Sequence, residues 1–187
     1  MKSKMPVAKK GLSEIVEIPS GTSCSIDGNT LTCSKGSISL KRVIAEPSIN
    51  LKVDGNKITL SSKDASKRAL KRIKSYVAHI SNLFKGLDEM FVYKLEACNV
   101  HFPMTLKVEK DRMAINNFLG EKSPRYADII HGVLVEVKGV QITVSSHDKE
   151  AAGQTAANIE RATKVRNRDR RVFQDGIFMT EKAGVKI

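Results

Sequence analysis

A chain of 187 residues, 41% of them apolar, has enough material for one ordinary domain or two small packed ones and excludes a disordered chain. Lys and Arg outnumber Asp and Glu by 32 to 20, and the net charge of +12 points to an anionic partner, nucleic acid before a membrane surface. The longest apolar runs, such as "IIHGVLVEV", are well short of the ~18 residues a membrane helix needs, and no apolar stretch follows the charged "MKSKMPVAKK", so the chain is expected to be soluble and cytosolic.

From Ile15 to Leu60 short alternating segments are separated by Ser-Gly, Asp-Gly-Asn, Lys-Gly and Glu-Pro turns, which predicts a run of antiparallel strands. A hairpin turn at Gly28-Asn29 would set Cys24 opposite Cys33 and Ile26 opposite Leu31, all on one face. Three cysteines, an odd number without further ligand spacing, read as core packing rather than as a metal site or a disulfide framework.

The period then changes. Ala65, Ala69, Ile73, Val77, Ile80 and Phe84 fall at helical spacing, predicting a helix over 64–84, with Ser62 or Ser61 capping its start. Lys67, Arg68, Lys71, Arg72 and Lys74 take the other faces, either as an electrostatic patch or as a solvated surface. Strand-like pieces return in "FVYKLEA", "PMTLKVEK", "RMAINNF", "GVLVEV" and "QITV". A second helix is predicted over 148–163, with Ala151, Ala152, Thr155, Ala156, Ile159 and Ala162 inward.

The strand-to-helix junction is written twice. "GNKITLSSKD" begins at Gly55 and "GVQITVSSHD" at Gly139, and seven positions agree in type. Upstream the two copies differ by nine residues, which puts an insertion between Met113 and Gly139, with "NNFLGEKSPRY" as its candidate. An internal duplication follows: an α+β fold of two homologous domains, each a small antiparallel β-sheet packed by one main α-helix, with a basic C-terminal arm. The expected boundaries are 1–84, 85–163 and 164–187.

Catalytic patterns are missing: no phosphate-binding Gly-Lys-Ser/Thr loop, no His-Glu-x-x-His and no Gly-x-Ser-x-Gly occurs. His79, His101, His131 and His147 share no ligand spacing, and Cys98 lacks the context of a Cys-His nucleophile. No enzyme, cofactor, metal or small-molecule substrate is expected. The positive candidates bind anions. "RATKVRNRDRR" supplies Arg161, Lys164, Arg166, Arg168, Arg170 and Arg171 against one acid, and guanidinium forks suit bidentate phosphate contacts. This run is expected to leave the domain as an extended arm, anchored back by Phe173, Ile177 and Phe178 around an Asp-Gly turn. Lys122 and Arg125 sit on a Gly/Pro-shaped loop as further contacts. Gly153, Ala157 and Asn158 would make a helix face open to close approach, or plain packing.

From Gly153 to Phe178, "GQTAANIERATKVRNRDRRVFQDGIF" resembles the C-terminal signature of the large-subunit ribosomal protein six family (protein nine in eukaryotes), in its archaeal or eukaryotic form. The "MPV…I.IP.G" opening and the "FLGEK" loop agree, so the resemblance covers nearly the whole chain. It implies a non-enzymatic, cytoplasmic constituent of the large subunit that binds large-subunit rRNA near the sarcin–ricin loop and the factor-binding, stalk-base region. It also implies neighbouring large-subunit proteins as partners and no membrane. Carried over, Gln154, Asn158, Arg161, Lys164, Arg166, Arg168, Arg170, Arg171 and Phe173 are expected at RNA, with Lys122 and Arg125 next. A free RNA-binding module acting off the ribosome is the alternative. One departure stands out: residues 1–84 carry 15 bases against 6 acids, a larger excess than the 17 against 14 of the rest.

Overall fold

The computed structural model describes residues 11–187; Met5, Pro6 and Val7 of the opening motif lie outside the described residues. The chain divides into two compact units, one ending at Asp88 and one beginning at Glu89, each with its own hydrophobic core.

In the first unit six strands precede one helix: β1 (Leu12–Glu17), β2 (Ser23–Asp27), β3 (Thr30–Lys35), β4 (Ile38–Val43), β5 (Ile49–Asp54), β6 (Lys57–Ser62) and α1 (Lys67–Asp88). The strands form two antiparallel three-stranded sheets, ordered β2-β3-β4 and β1-β6-β5. Gly28 takes φ +57°, the left-handed conformation that a two-residue hairpin turn requires. The register that follows pairs Cys24 with Cys33 and Ile26 with Leu31. The two sulfurs lie 2.7 Å apart, and burial pushes both thiols up, so they stay protonated in the core. α1 lays Ala69, Ile73, Ile80, Leu83, Phe84 and Leu87 against β1, β3, β4 and β6. It runs four residues beyond the expected Phe84, because Ile80, Leu83, Phe84 and Leu87 prolong the i, i+3, i+4, i+7 stripe and the buried Gly86 does not break it.

The second unit contains β7 (Phe91–Cys98), β8 (Thr105–Val108), β9 (Arg112–Asn116), a 3₁₀ turn (Phe118–Gly120), β10 (Arg125–Asp128), β11 (Leu134–Lys138), β12 (Gln141–Ser146), α2 (Lys149–Ala162), β13 (Gly176–Lys182) and β14 (Val185–Lys186). One sheet is ordered β10-β9-β8 and the other β11-β12-β7-β13-β14. α2 rests on β7, β10, β12 and β13.

The duplication is visible in the pairing. β5-β6-β1 in the first unit corresponds to β11-β12-β7 in the second, with Ser62 opposite Leu12 and Ser146 opposite Phe91. The segment between β9 and β11 contains the 3₁₀ turn and β10, where the first unit has only residues 44–48 between β4 and β5. β10 pairs with β9, so it completes the small sheet at the edge opposite to the one β2 occupies in the first unit. The "SSxD" motif makes the same local bond in both copies. Ser62 Oγ accepts the Asp64 N–H and Ser146 Oγ accepts the Asp148 N–H, each at 3.2 Å and each from a buried serine. The caps then diverge. Asp148 itself accepts the Glu150 N–H at the start of α2, whereas Asp64 accepts the Ser66 hydroxyl, and Ser66 Oγ accepts the Ala69 N–H of α1.

Two expectations need correction. Residues 164–187 do not leave the second unit as an extended arm, because β13 pairs along β7 inside its five-stranded sheet. Asp175-Gly176 is not an exposed turn either; both residues are buried.

Candidate nucleic-acid interface

The basic run is a loop from Thr163 to Asp175 that joins α2 to β13 and is fastened at both ends. At its start Thr163, 3% exposed, donates its hydroxyl to Glu160 O at 3.1 Å and accepts the Ile177 N–H at 2.9 Å, tying the end of α2 to β13. At its far end the buried Asp175 carboxylate accepts the backbone N–H groups of Val100 and His101 and meets His101 Nδ1 at 2.7 Å. Burial pushes this carboxyl up, and the Val100 bond, the His101 ring and the His101 N–H together outweigh that, leaving it below its ordinary value. His101 stacks on Phe173 at 5.1 Å, and the Arg168 guanidinium lies 4.8 Å over the same ring. Between these anchors Asp169 turns the chain, its carboxylate accepting the Arg171 N–H and its carbonyl accepting the N–H groups of Val172 and Phe173.

The cations are therefore presented by a loop of defined course. Arg161, Lys164, Arg166, Arg168, Arg170 and Arg171 are all exposed. Among the described residues no acid forms an ion pair with Arg161, Lys164, Arg166, Arg170 or Arg171. Arg161, Lys164 and Arg170 edge an open groove of about 830 Å³, floored by Ala157, Ile177 and Phe178 and bordered by Cys98. Cations around an apolar floor can take phosphates at the rim and a stacked base or sugar inside.

The other expected residues divide. Lys122 is exposed and free of described acids. Gln154 donates to Asn158 Oδ1 at 2.9 Å, and Asn158 donates to Asp128 O at 3.1 Å, forming a polar ladder on α2 that leads towards Arg161. Phe173 serves as the platform between His101 and Arg168 and is half-buried. Arg125 is occupied by the protein. Its guanidinium forks onto Glu121 at 2.6 and 2.8 Å, donates to Ala162 O at 3.0 Å and to Lys164 O at 3.2 Å, and lies 4.3 Å over Phe118. The bond from Arg125 holds the Glu121 carboxyl below its usual value. With four of its five donors engaged, Arg125 closes the end of α2 and steadies the loop. Gly153 is explained by packing: a Cβ there would lie 3.1 Å from the buried Tyr93 hydroxyl, so its bare face points at its own sheet.

Sequence reasoning missed His101 and Asp175 as a pair 74 residues apart, and no local signal joins them. Among the described residues no group of three or more His, Cys, Asp or Glu is placed to hold a metal ion, and no helix is long and apolar enough to cross a membrane.

A family model described as "Ribosomal protein L6" matches residues 102–176, a span containing the small sheet, α2 and the cationic loop. The chain is 44% identical over 180 residues to the large ribosomal subunit protein uL6 of Methanococcus vannielii, covering 96% of this chain and 98% of that one. It is 38% identical to the uL6 of Methanocella arvoryzae, covering 90% and 96%, and 40% identical to that of Methanothrix thermoacetophila, covering 89% and 95%.

Proposed function

The chain belongs to the ribosomal protein L6 family, and we propose that its second unit binds large-subunit rRNA through the loop from Arg161 to Phe173. As a member of that family it is a structural, non-enzymatic constituent of the large ribosomal subunit in the cytoplasm. One observation carries the finer reading: five exposed cations without described acid partners, on a loop fastened by Thr163, Arg125 and Asp175. A loop held in place loses little conformational entropy when phosphates bind, so its charges act together rather than as a floppy tail.

Arg161, Lys164, Arg166, Arg170, Arg171 and Lys122 contact phosphates in this reading. Arg168 on Phe173 offers a guanidinium plane, and Gln154 and Asn158 offer amides for sugar or base edges. Arg125 acts through the loop it holds rather than at the RNA. By family resemblance the rRNA site lies near the sarcin–ricin loop and stalk base, with other large-subunit proteins beside it. Ultraviolet crosslinking of purified large subunits, with the crosslinked peptides mapped by mass spectrometry, tests the assignment. Crosslinks within 161–173 are expected; crosslinks confined to other segments would overturn it.

A further inference from the structure

The first unit has a cationic surface of its own. From Lys67 to Leu87, α1 contains six bases and no acid. Lys67, Lys71 and Lys74 follow i, i+4, i+7 spacing and share one exposed stripe about 10 Å long, with the exposed Arg68 beside it. Arg72 pairs with Glu46 at 2.6 Å, but no described acid pairs with Lys67, Arg68, Lys71 or Lys74.

Nothing in the fold is served by this arrangement. Lys67 and Lys71 repel at i, i+4, as do Arg68 and Arg72, and each such pair weakens a helix by a few tenths of a kcal/mol. Two cations in the first turn, with no acid there, also oppose the positive end of the helix dipole. An ordinary solvated helix intersperses both signs and places its acids at the start.

We propose that the Lys67–Lys71–Lys74 face of α1 docks on an RNA phosphate backbone, giving the first unit an RNA contact separate from the cationic loop. This rests on the ribosomal reading above and extends it to the other unit. The chemistry of the face selects nucleic acid over an acidic protein. A protein interface needs aromatic or large apolar anchors at its centre, and the exposed positions along this stripe beyond the lysines are Ser75, Ala78 and Ser81. Small residues let a phosphate backbone approach, and lysines contribute point charges that follow it without reading its sequence.

The experiment compares binding of the full chain to deproteinised large-subunit rRNA over a range of salt. K67Q/K71Q/K74Q should flatten the slope of log K against log salt by about 2 to 3, from three lost phosphate contacts. The lysine-to-arginine triple should keep the wild-type slope. The glutamine triple should also melt no lower than wild type, since repulsion within α1 is relieved. K41Q/K52Q/K57Q, which removes the same charge from exposed strand positions of the same unit, should leave the slope unchanged. An unchanged slope in the α1 triple, an equal drop in the strand control, or loss of α1 helicity would overturn the proposal. R166A/R168A/R170A/R171A, measured alongside, reports on the loop independently, so failure of one reading is distinguishable from failure of the other.

Discussion

In the first unit the repeated Ser-Ser-x-Asp segment leads into a 22-residue helix whose charged face is left in solvent. In the second the same segment leads into a 14-residue helix built on Ala151, Ala152, Thr155 and Ala156, followed by a cationic loop locked at both ends. The serine bonds are the same length and the strands pair alike. What duplication kept is the frame; what diverged is the chemistry carried after the cap. A small-residue helix packs close to its sheet, with Gly153 against Tyr93, and this leaves the end of α2 near β13, where Thr163 reaches Ile177.

The comparison can be probed by substitution. The largest effects should come from the cores. Ile73→Ala and Ile159→Ala remove fully buried side chains from α1 and α2, and each should destabilise its own unit by about 2–5 kcal/mol in denaturant unfolding, leaving the other unit's transition in place. Simultaneous loss of both transitions would contradict two independent cores.

Next is Asp175→Ala, which strips a buried carboxylate from three donors and should cost about 2–3 kcal/mol in the second unit alone. The pH dependence has a definite sign. The folded carboxyl is held below its unfolded value of about 3.9, so its contribution is fully present above that value and fades as pH falls through the lower folded one. Acid titration of Asp175→Asn should therefore lack a step that wild type shows below about pH 4; identical titrations would refute the anchor.

Arg125→Ala should lower second-unit stability by about 1–2 kcal/mol and weaken rRNA binding by loosening the loop, whereas Lys122→Ala should alter binding alone. The smallest effects sharpen the comparison most. Ser62→Ala and Ser146→Ala should each cost about 1 kcal/mol, and clearly unequal costs would show that the two junctions no longer do the same work.

Much of this frame was legible in the sequence because it is written locally. The Gly28-Asn29 turn fixed the Cys24–Cys33 register, and alternation and 3.6-residue spacing found both helices and most strands. β10 has only four residues and sits in an insertion without a counterpart in the first copy. β13 was hidden because its apolar Ile177 and Phe178 follow directly on a charge run, so the segment reads as a tail. The charge of Arg125 suggested an RNA contact, but charge cannot distinguish a guanidinium that faces solvent from one that clamps Glu121 and two carbonyls. Asp175 looked like half of an Asp-Gly turn because its partner, His101, is remote in sequence. The cationic run itself was plain from composition; its two anchors were not.

The most direct test of the cationic loop is the salt dependence of rRNA binding by the full chain, wild type against R166A/R168A/R170A/R171A. Four lost phosphate contacts should flatten the slope of log K against log salt by about 3, with the second unit's unfolding transition unchanged. A slope equal to that of wild type, in a variant that remains folded, would contradict the account.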